Sequence, residues 1–206
     1  MTKSFCHFDT IPSDLMDIIE EDLTEKFDPL MDTSKLMGNQ VHLEKRNSRN
    51  AWIPTSHWLG GLMWHYFNKA NKEFFHYDLE CIDGESMQYT QYEINQHYQW
   101  HQDEGIGSYY KPQTSGNRTD QRRVDDLINT QAERVRKLSC SLQLSHEEDY
   151  EGGGTQVLDV DNTMVTIPKG RGSLFFFDSR LAHRAKTVHK GLRKSLICWA
   201  IGPRWK

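Results

Sequence analysis

The chain has 206 residues and a formal net charge of −4, with 36% hydrophobic, 26% charged and 11% aromatic residues. This is the size of one ordinary domain with enough apolar material for a sizeable core. No run approaches the roughly 20 apolar residues of a membrane span, the first residues do not read as a secretory signal, and the negative balance disfavours a nucleic-acid partner.

Four scattered cysteines, Cys6, Cys81, Cys140 and Cys198, form no Cys-x-x-Cys pair, which suits reduced thiols in a cytoplasmic setting. In chain order, residues 13–27 predict an amphipathic helix, with Leu15, Ile18, Ile19 and Leu23 at helical spacing after Pro12. Residues 29–50 are polar, and the run Glu44-Lys45-Arg46-Asn47-Ser48-Arg49 reads as a solvated loop. A second helix is expected over 56–75, with Trp58, Leu62, Trp64, His65 and Phe67 on a broad apolar face.

From Met87 the period changes to that of strands. Short β-branched and aromatic runs are expected to form strands at 87–94, 97–102, 136–144, 155–160, 163–167, 172–177, 181–188 and 192–201. Turns are signalled at Glu151-Gly152-Gly153-Gly154 and His189-Lys190-Gly191. The expected architecture is a single, mainly β domain of jelly-roll type, with 1–86 as helical support and 87–206 as the core. A polar insertion, 104–135, interrupts the strands and carries a possible short helix at 119–131. Such a long segment is often functional, so Tyr109, Tyr110, Arg122 and Arg123 are candidates for a lid that clamps a substrate.

The chemistry-bearing motif begins at Trp100-His101-Gln102-Asp103. On a strand, residues two apart share a face and lie roughly 7 Å apart at the backbone, so His101 and Asp103 can converge on one ion. The pair alone is a weak signal. His97 and His101 would form a two-His zinc face on a helix, but Tyr92, Ile94, Tyr98 and Trp100 favour a strand, and no Glu stands between the two histidines. His183 follows the apolar Phe175-Phe176-Phe177 and alone reads equally well as a core histidine. Two histidines and one carboxylate are the ligand set of non-haem Fe(II) sites with open positions.

A hairpin at 189–191 would set Val188 opposite Leu192 and Thr187 opposite Arg193, leaving Arg193 about 13 Å along the sheet from His183. A metal-chelating five-carbon diacid, met by an extended Arg side chain, fills about that gap. Arg193, Ser195, Ile197 and Trp199 share one face of the last strand, whereas Lys194 points the other way. Arg193 can bind a carboxylate through two hydrogen bonds and Ser195 can add a hydroxyl.

The ordered set Tyr92-x₅-Tyr98-x₂-His101-x-Asp103, Tyr150-Glu151-Gly152-Gly153, Phe177-x-Ser179-x₃-His183 and Gly191-x-Arg193-x-Ser195-x₃-Trp199 resembles the Fe(II)/2-oxoglutarate dioxygenases. It is most similar to the prolyl 4-hydroxylase-like branch, which includes PKHD-type hydroxylases. The resemblance covers roughly 89–199. It implies a double-stranded β-helix, iron on His101, Asp103 and His183, and 2-oxoglutarate held by Arg193 with help from Tyr92 and Ser195. It also implies O₂ as oxidant, ascorbate as an auxiliary reductant, and hydroxylation of a C–H bond with release of succinate and CO₂. Asn95 stands where relatives commonly carry Gly, and Thr187 where they carry Pro; neither touches the metal chemistry.

Peptidyl proline is the first substrate class implied, with a free amino acid or other small metabolite second. Trp100 and Trp199 are candidate cavity walls. Nucleic-acid modification, to which the cluster Arg118, Arg122, Arg123, Arg134 and Arg136 points locally, runs against the net charge. A zinc hydrolase and a catalytically silent binding module are the remaining alternatives.

Overall fold

In the computed structural model, which describes residues 5–34, 41–82, 87–104 and 134–205, the chain starts with strand β1 (Cys6–Thr10), helix α1 (Ser13–Lys26) and strands β2 (Asp32–Thr33), β3 (Arg46–Asn47) and β4 (Arg49–Ile53). Helix α2 (Trp58–Ala70) precedes β5 (Cys81–Ile82), β6 (Met87–Tyr92), β7 (His97–His101) and β8 (Arg134–Gln143). Then come β9 (Tyr150–Gly152), β10 (Thr155–Leu158), β11 (Met164–Thr166), β12 (Ser173–Asp178), β13 (His183–Ala185), β14 (Val188–Gly191) and β15 (Arg193–Pro203). An 8-stranded sheet has the order β1-β12-β8-β15-β6-β4-β2, with β5 also on β15. A 5-stranded sheet, β11-β10-β13-β7-β3, lies apart from it, and β14 pairs with β9. This is the jelly-roll class expected from the strand run.

The large sheet has two chemically different faces. Side chains alternate along a strand, and the even residues of β8, Leu138, Cys140 and Leu142, join Leu196 and Cys198 of β15 and Met87 and Tyr89 of β6 in the apolar core. Met16, Ile19 and Leu23 of α1 and Leu59, Met63 and Phe67 of α2 belong to the same core. Burying each large side chain contributes about 1.5–3 kcal/mol. The opposite face carries Ser139, Ser141 and Gln143, Arg193 and Ser195, and Gln88, Thr90 and Tyr92, all buried. Cross-strand register places Arg193 opposite Tyr92 and Ser195 opposite both Thr90 and Gln143, so these polar groups line one wall.

Three expectations are corrected. Residues before position 87 supply strands β1, β2, β4 and β5 to the large sheet as well as helices. The supposed loop at 44–49 contains β3 and the start of β4, with Arg46 buried. No hairpin forms at 189–191: Val188 pairs with Gly152 and Gly191 with Tyr150, while β15 runs in the large sheet. Gly191, at φ 75°, turns the chain from one sheet to the other. A Cβ there would sit 1.9 Å from the Asp149 carbonyl oxygen, so glycine alone permits this crossing.

Other local expectations agree with the fold. Asn95 adopts φ 65°, the left-handed conformation that Asn tolerates. Lys194 turns away from the polar wall, its Nζ 3.9 Å from Asp28 Oδ2. The zinc face fails because His97 and His101 lie on strand β7 and His97 Nε2 meets the Glu44 carbonyl oxygen at 3.1 Å. The insertion segment 105–133, with its possible helix, lies outside the described residues.

Candidate metal centre

His101 ends β7, Asp103 follows in a bend, and His183 opens β13, the strand directly paired with β7 at His183–His101. One ligand atom from each lies within 4.8 Å of the others. His101 Nε2 is 3.9 Å from Asp103 Oδ1, and His183 Nε2 is 3.4 Å from Asp103 Oδ2. The strand register, rather than a hairpin, thus creates the convergence.

Both imidazoles are held in one tautomer. His101 Nδ1 donates to the Gln99 carbonyl at 2.8 Å and His183 Nδ1 to the Leu181 carbonyl at 3.1 Å. Because a carbonyl only accepts, each Nε2 lone pair is directed into the cluster, the usual support for a ligating histidine. The rings are also packed. Tyr98 stacks on His101 with centroids 3.6 Å apart, and Phe177 meets His183 edge-on at 4.7 Å. A bulge in β7, where His183 and Ala185 span His101 and Tyr98, brings Tyr98 and His101 to the same face.

Asp103 is fixed by Ser139 Oγ, which donates to its Oδ2 at 2.8 Å and lies 2.9 Å from Ser179 Oγ. The Asp103 and Glu104 amides both donate to the Ser179 carbonyl, at 3.1 and 3.0 Å, and Gln102 Nε2 donates to the Arg180 carbonyl at 2.6 Å. The two ligand-bearing segments are therefore stapled together. Burial opposes ionisation of Asp103, but His183, His101 and Arg136 outweigh it and hold the carboxyl at about 2. Burial, reinforced by His183, pushes His101 down to about 3. A neutral imidazole beside an anionic carboxylate is the protonation state that binds a divalent cation.

Arg193 occupies the other end of the polar wall. It is 2% exposed, with Nε donating to Gln143 Oε1 at 3.2 Å and a terminal nitrogen to Thr155 Oγ1 at 2.9 Å. Its guanidinium lies 5.6 Å from the Tyr92 ring centroid. None of these partners is acidic, and among the described residues no carboxylate pairs with it. Thr155 is two residues from Val157, the partner of His183, so Arg193 reaches the small sheet roughly 7 Å along it from the metal cluster. Ser195 Oγ and Thr90 Oγ1 are buried without a hydrogen-bond partner. A buried cation and orphan hydroxyls, one diacid length from a two-His, one-carboxylate cluster, fit an anionic ligand that spans them.

Of the residues singled out in the sequence, the fold brings together His101, Asp103, His183, Tyr92, Arg193, Ser195 and Trp199. Trp100 is on the outer face of the small sheet, exposed at 39% beneath the Arg184 guanidinium, and does not line the cavity. Tyr109, Tyr110 and Arg122 lie outside the described residues. Sequence reasoning missed Ser139, Gln143, Thr155 and Arg46. The polar alternation Ser139-x-Ser141-x-Gln143 among Leu138, Cys140 and Leu142 was the available signal for the first two.

The sequence profile described as the 2OG-Fe(II) oxygenase superfamily matches residues 87–201, more than half of the chain. A PKHD-type hydroxylase of Aliarcobacter butzleri is 34% identical over 95 residues, which is 44% of this chain and 41% of that protein, so the match spans about two fifths of that relative. In structure the chain is similar to a Pseudomonas putida prolyl-4-hydroxylase, with a TM-score of 0.69 at 15% identity, covering 98% of this chain and 94% of the other. It is similar also to a Trichoplax adhaerens prolyl hydroxylase solved with a peptide fragment of the hypoxia-inducible factor oxygen degradation domain, with a TM-score of 0.69, 15% identity and coverage of 95% and 83%.

Proposed function

This chain belongs to the 2OG-Fe(II) oxygenase superfamily, and we propose from that premise that it hydroxylates an unactivated C–H bond, with peptidyl proline as the first substrate to test. The observation that carries the chemistry is the pairing of the His101, Asp103 and His183 cluster with the acid-free, buried Arg193. The similarity to prolyl hydroxylases supports the substrate.

The family's Fe(II), 2-oxoglutarate and O₂ supply the oxidation, the cosubstrate leaving as succinate and CO₂. The chain's own residues supply geometry and charge. His101, Asp103 and His183 would hold the metal by one face, leaving positions open toward the polar wall. Arg193, seated on Gln143 and Thr155, would fix the distal carboxylate of 2-oxoglutarate, with Ser195 Oγ and the Tyr92 ring beside it. Trp199 walls the cavity next to Asp103 and keeps bulk water from the carboxylate.

Purified protein supplied with Fe(II), ascorbate and 2-oxoglutarate should form succinate slowly without substrate. Anaerobic addition of 2-oxoglutarate to the Fe(II) protein should produce a visible metal-to-ligand charge-transfer band. Absence of both rejects the reading. A mass increase of 16 Da, the mass of one oxygen atom, on a prolyl peptide but not on its proline-free counterpart identifies the substrate class.

A further inference from the structure

Resting on that oxygenase reading, we propose that the primary substrate presents a carboxylate to Arg46. Arg46 stands on β3 directly opposite Tyr98 of β7, the residue whose ring stacks on His101. It is 6% exposed. Its Nε donates to Ser48 Oγ at 3.2 Å, a terminal nitrogen donates to Gln88 Oε1 at 2.9 Å, and the guanidinium lies 4.8 Å from the Tyr98 centroid. Gln88 belongs to the inner face of the large sheet, so the Arg46 side chain crosses from one sheet to the other inside the cavity. All three partners are neutral, and no carboxylate among the described residues pairs with it. Three of its five N–H groups remain uncommitted.

The charge count of the loaded site points the same way. Iron's two positive charges and that of Arg193 are met by Asp103 and a dianionic cosubstrate. The Arg136 guanidinium lies 3.8 Å over the Trp199 ring and within electrostatic reach of Glu104, a carboxylate outside this count. Arg46 is left over, and a guanidinium cannot shed its proton. A buried cation without an anion is costly, so a monoanionic group arriving with the substrate completes the site.

The entrance also fits. Trp52 lies across from Gln88 on β4, is 47% exposed, and its ring is 6.5 Å from that of Trp199. A ligand entering past the exposed Trp52 would meet Gln88 and Arg46 next, and then the Tyr98 and His101 rings. The carboxylate could belong to a free amino acid, to a peptide C terminus, or to an acidic side chain beside the reacting residue. Its chemistry is the same in each case.

The test measures substrate-stimulated succinate formation with matched pairs: free amino acids and their amides, prolyl tripeptides with free or amidated C termini, and amidated prolyl tripeptides with acidic or neutral neighbours. At least one carboxylate-bearing member should stimulate about tenfold or more above its neutral partner, and the pair that does so identifies the source of the carboxylate. In Arg46→Gln that ratio should fall toward one, and in Arg46→Lys it should survive in part. Gln88→Glu, which gives Arg46 an internal carboxylate without removing the cation, should also erase the preference and guards against a misfolded Arg46 variant. Equal stimulation by acids and amides, no stimulation by any acid, or a preference that persists in Arg46→Gln overturns the proposal. So does an equal loss of 2-oxoglutarate affinity in Arg46→Gln, read from anaerobic titration of the visible band, because it would seat Arg46 on the cosubstrate. A wild-type protein that forms no succinate even without substrate defeats the oxygenase reading, and this inference with it.

Discussion

Ser139 makes the least obvious contribution at the metal centre. Its hydroxyl orients Asp103, and only its place in the polar alternation of β8 marks it in the sequence. Ser139→Ala should weaken Fe(II) binding by roughly tenfold, the usual cost of losing a ligand's hydrogen-bonded support, whereas His183→Ala should abolish it. Iron titration monitored by the anaerobic visible band separates the two, and full affinity in Ser139→Ala would remove the serine from the site. Arg193→Ala deletes two charge-assisted hydrogen bonds and should raise the KM for 2-oxoglutarate by on the order of a hundredfold. A KM within a factor of three of wild type would contradict its assigned role. The ligand triad was legible in the sequence because its residue types are scarce and their order is distinctive. Arg46 was not, because six consecutive polar residues look the same whether they face water or a polar cavity.

The longer strands β6, β7, β8 and β12 were readable one by one. β9 and β14 were not, since each is short and gains its identity only from the other. The expected hairpin at 189–191 failed for the same reason: a glycine that ends one strand and begins another does not say which sheet the next strand joins. Arg193 therefore reaches the metal side across the barrel, through Thr155, instead of along one ribbon. Gly153 belongs to this element-scale arrangement. It sits at φ 61°, and a Cβ there would lie 2.8 Å from Val188 Cγ2 and 3.2 Å from Arg193 Cδ. Gly153→Ala should cost about 1–2 kcal/mol in backbone conformation, and by crowding Arg193 should also raise the KM for 2-oxoglutarate by on the order of tenfold. A lower melting temperature with an unchanged KM would show that the strain never reaches the guanidinium.

At the scale of the molecule, the large sheet separates stability from chemistry. Phe67 of α2 packs edge-on against Phe176 of β12, with centroids 5.3 Å apart, on the face remote from the polar wall. Phe67→Ala should destabilise the fold by about 3–5 kcal/mol while leaving the 2-oxoglutarate affinity of the folded fraction unchanged, as thermal melts and anaerobic titration would show. Cys140 and Cys198 pair across β8 and β15 on that same face, and burial pushes both thiols above their ordinary value of 9.0. The unfolded chain ionises them first, so they favour the fold below about pH 9 and stability should fall as pH rises beyond it. Urea melts between pH 8 and 10 test this, and replacing both cysteines with alanine should flatten that part of the profile. The helices and strand run conveyed this layered plan in advance, but not which face of the sheet would be polar, because alternation reveals two faces without naming the neighbour of either.

A wall of serine, threonine, glutamine and arginine between two sheets is a polar surface before any ligand arrives. Ligand binding there pairs charged and hydrogen-bonding groups and removes little apolar area. Calorimetry of 2-oxoglutarate binding should therefore show a small heat-capacity change and an affinity that weakens with added salt, unlike the large negative heat-capacity change of an oily pocket.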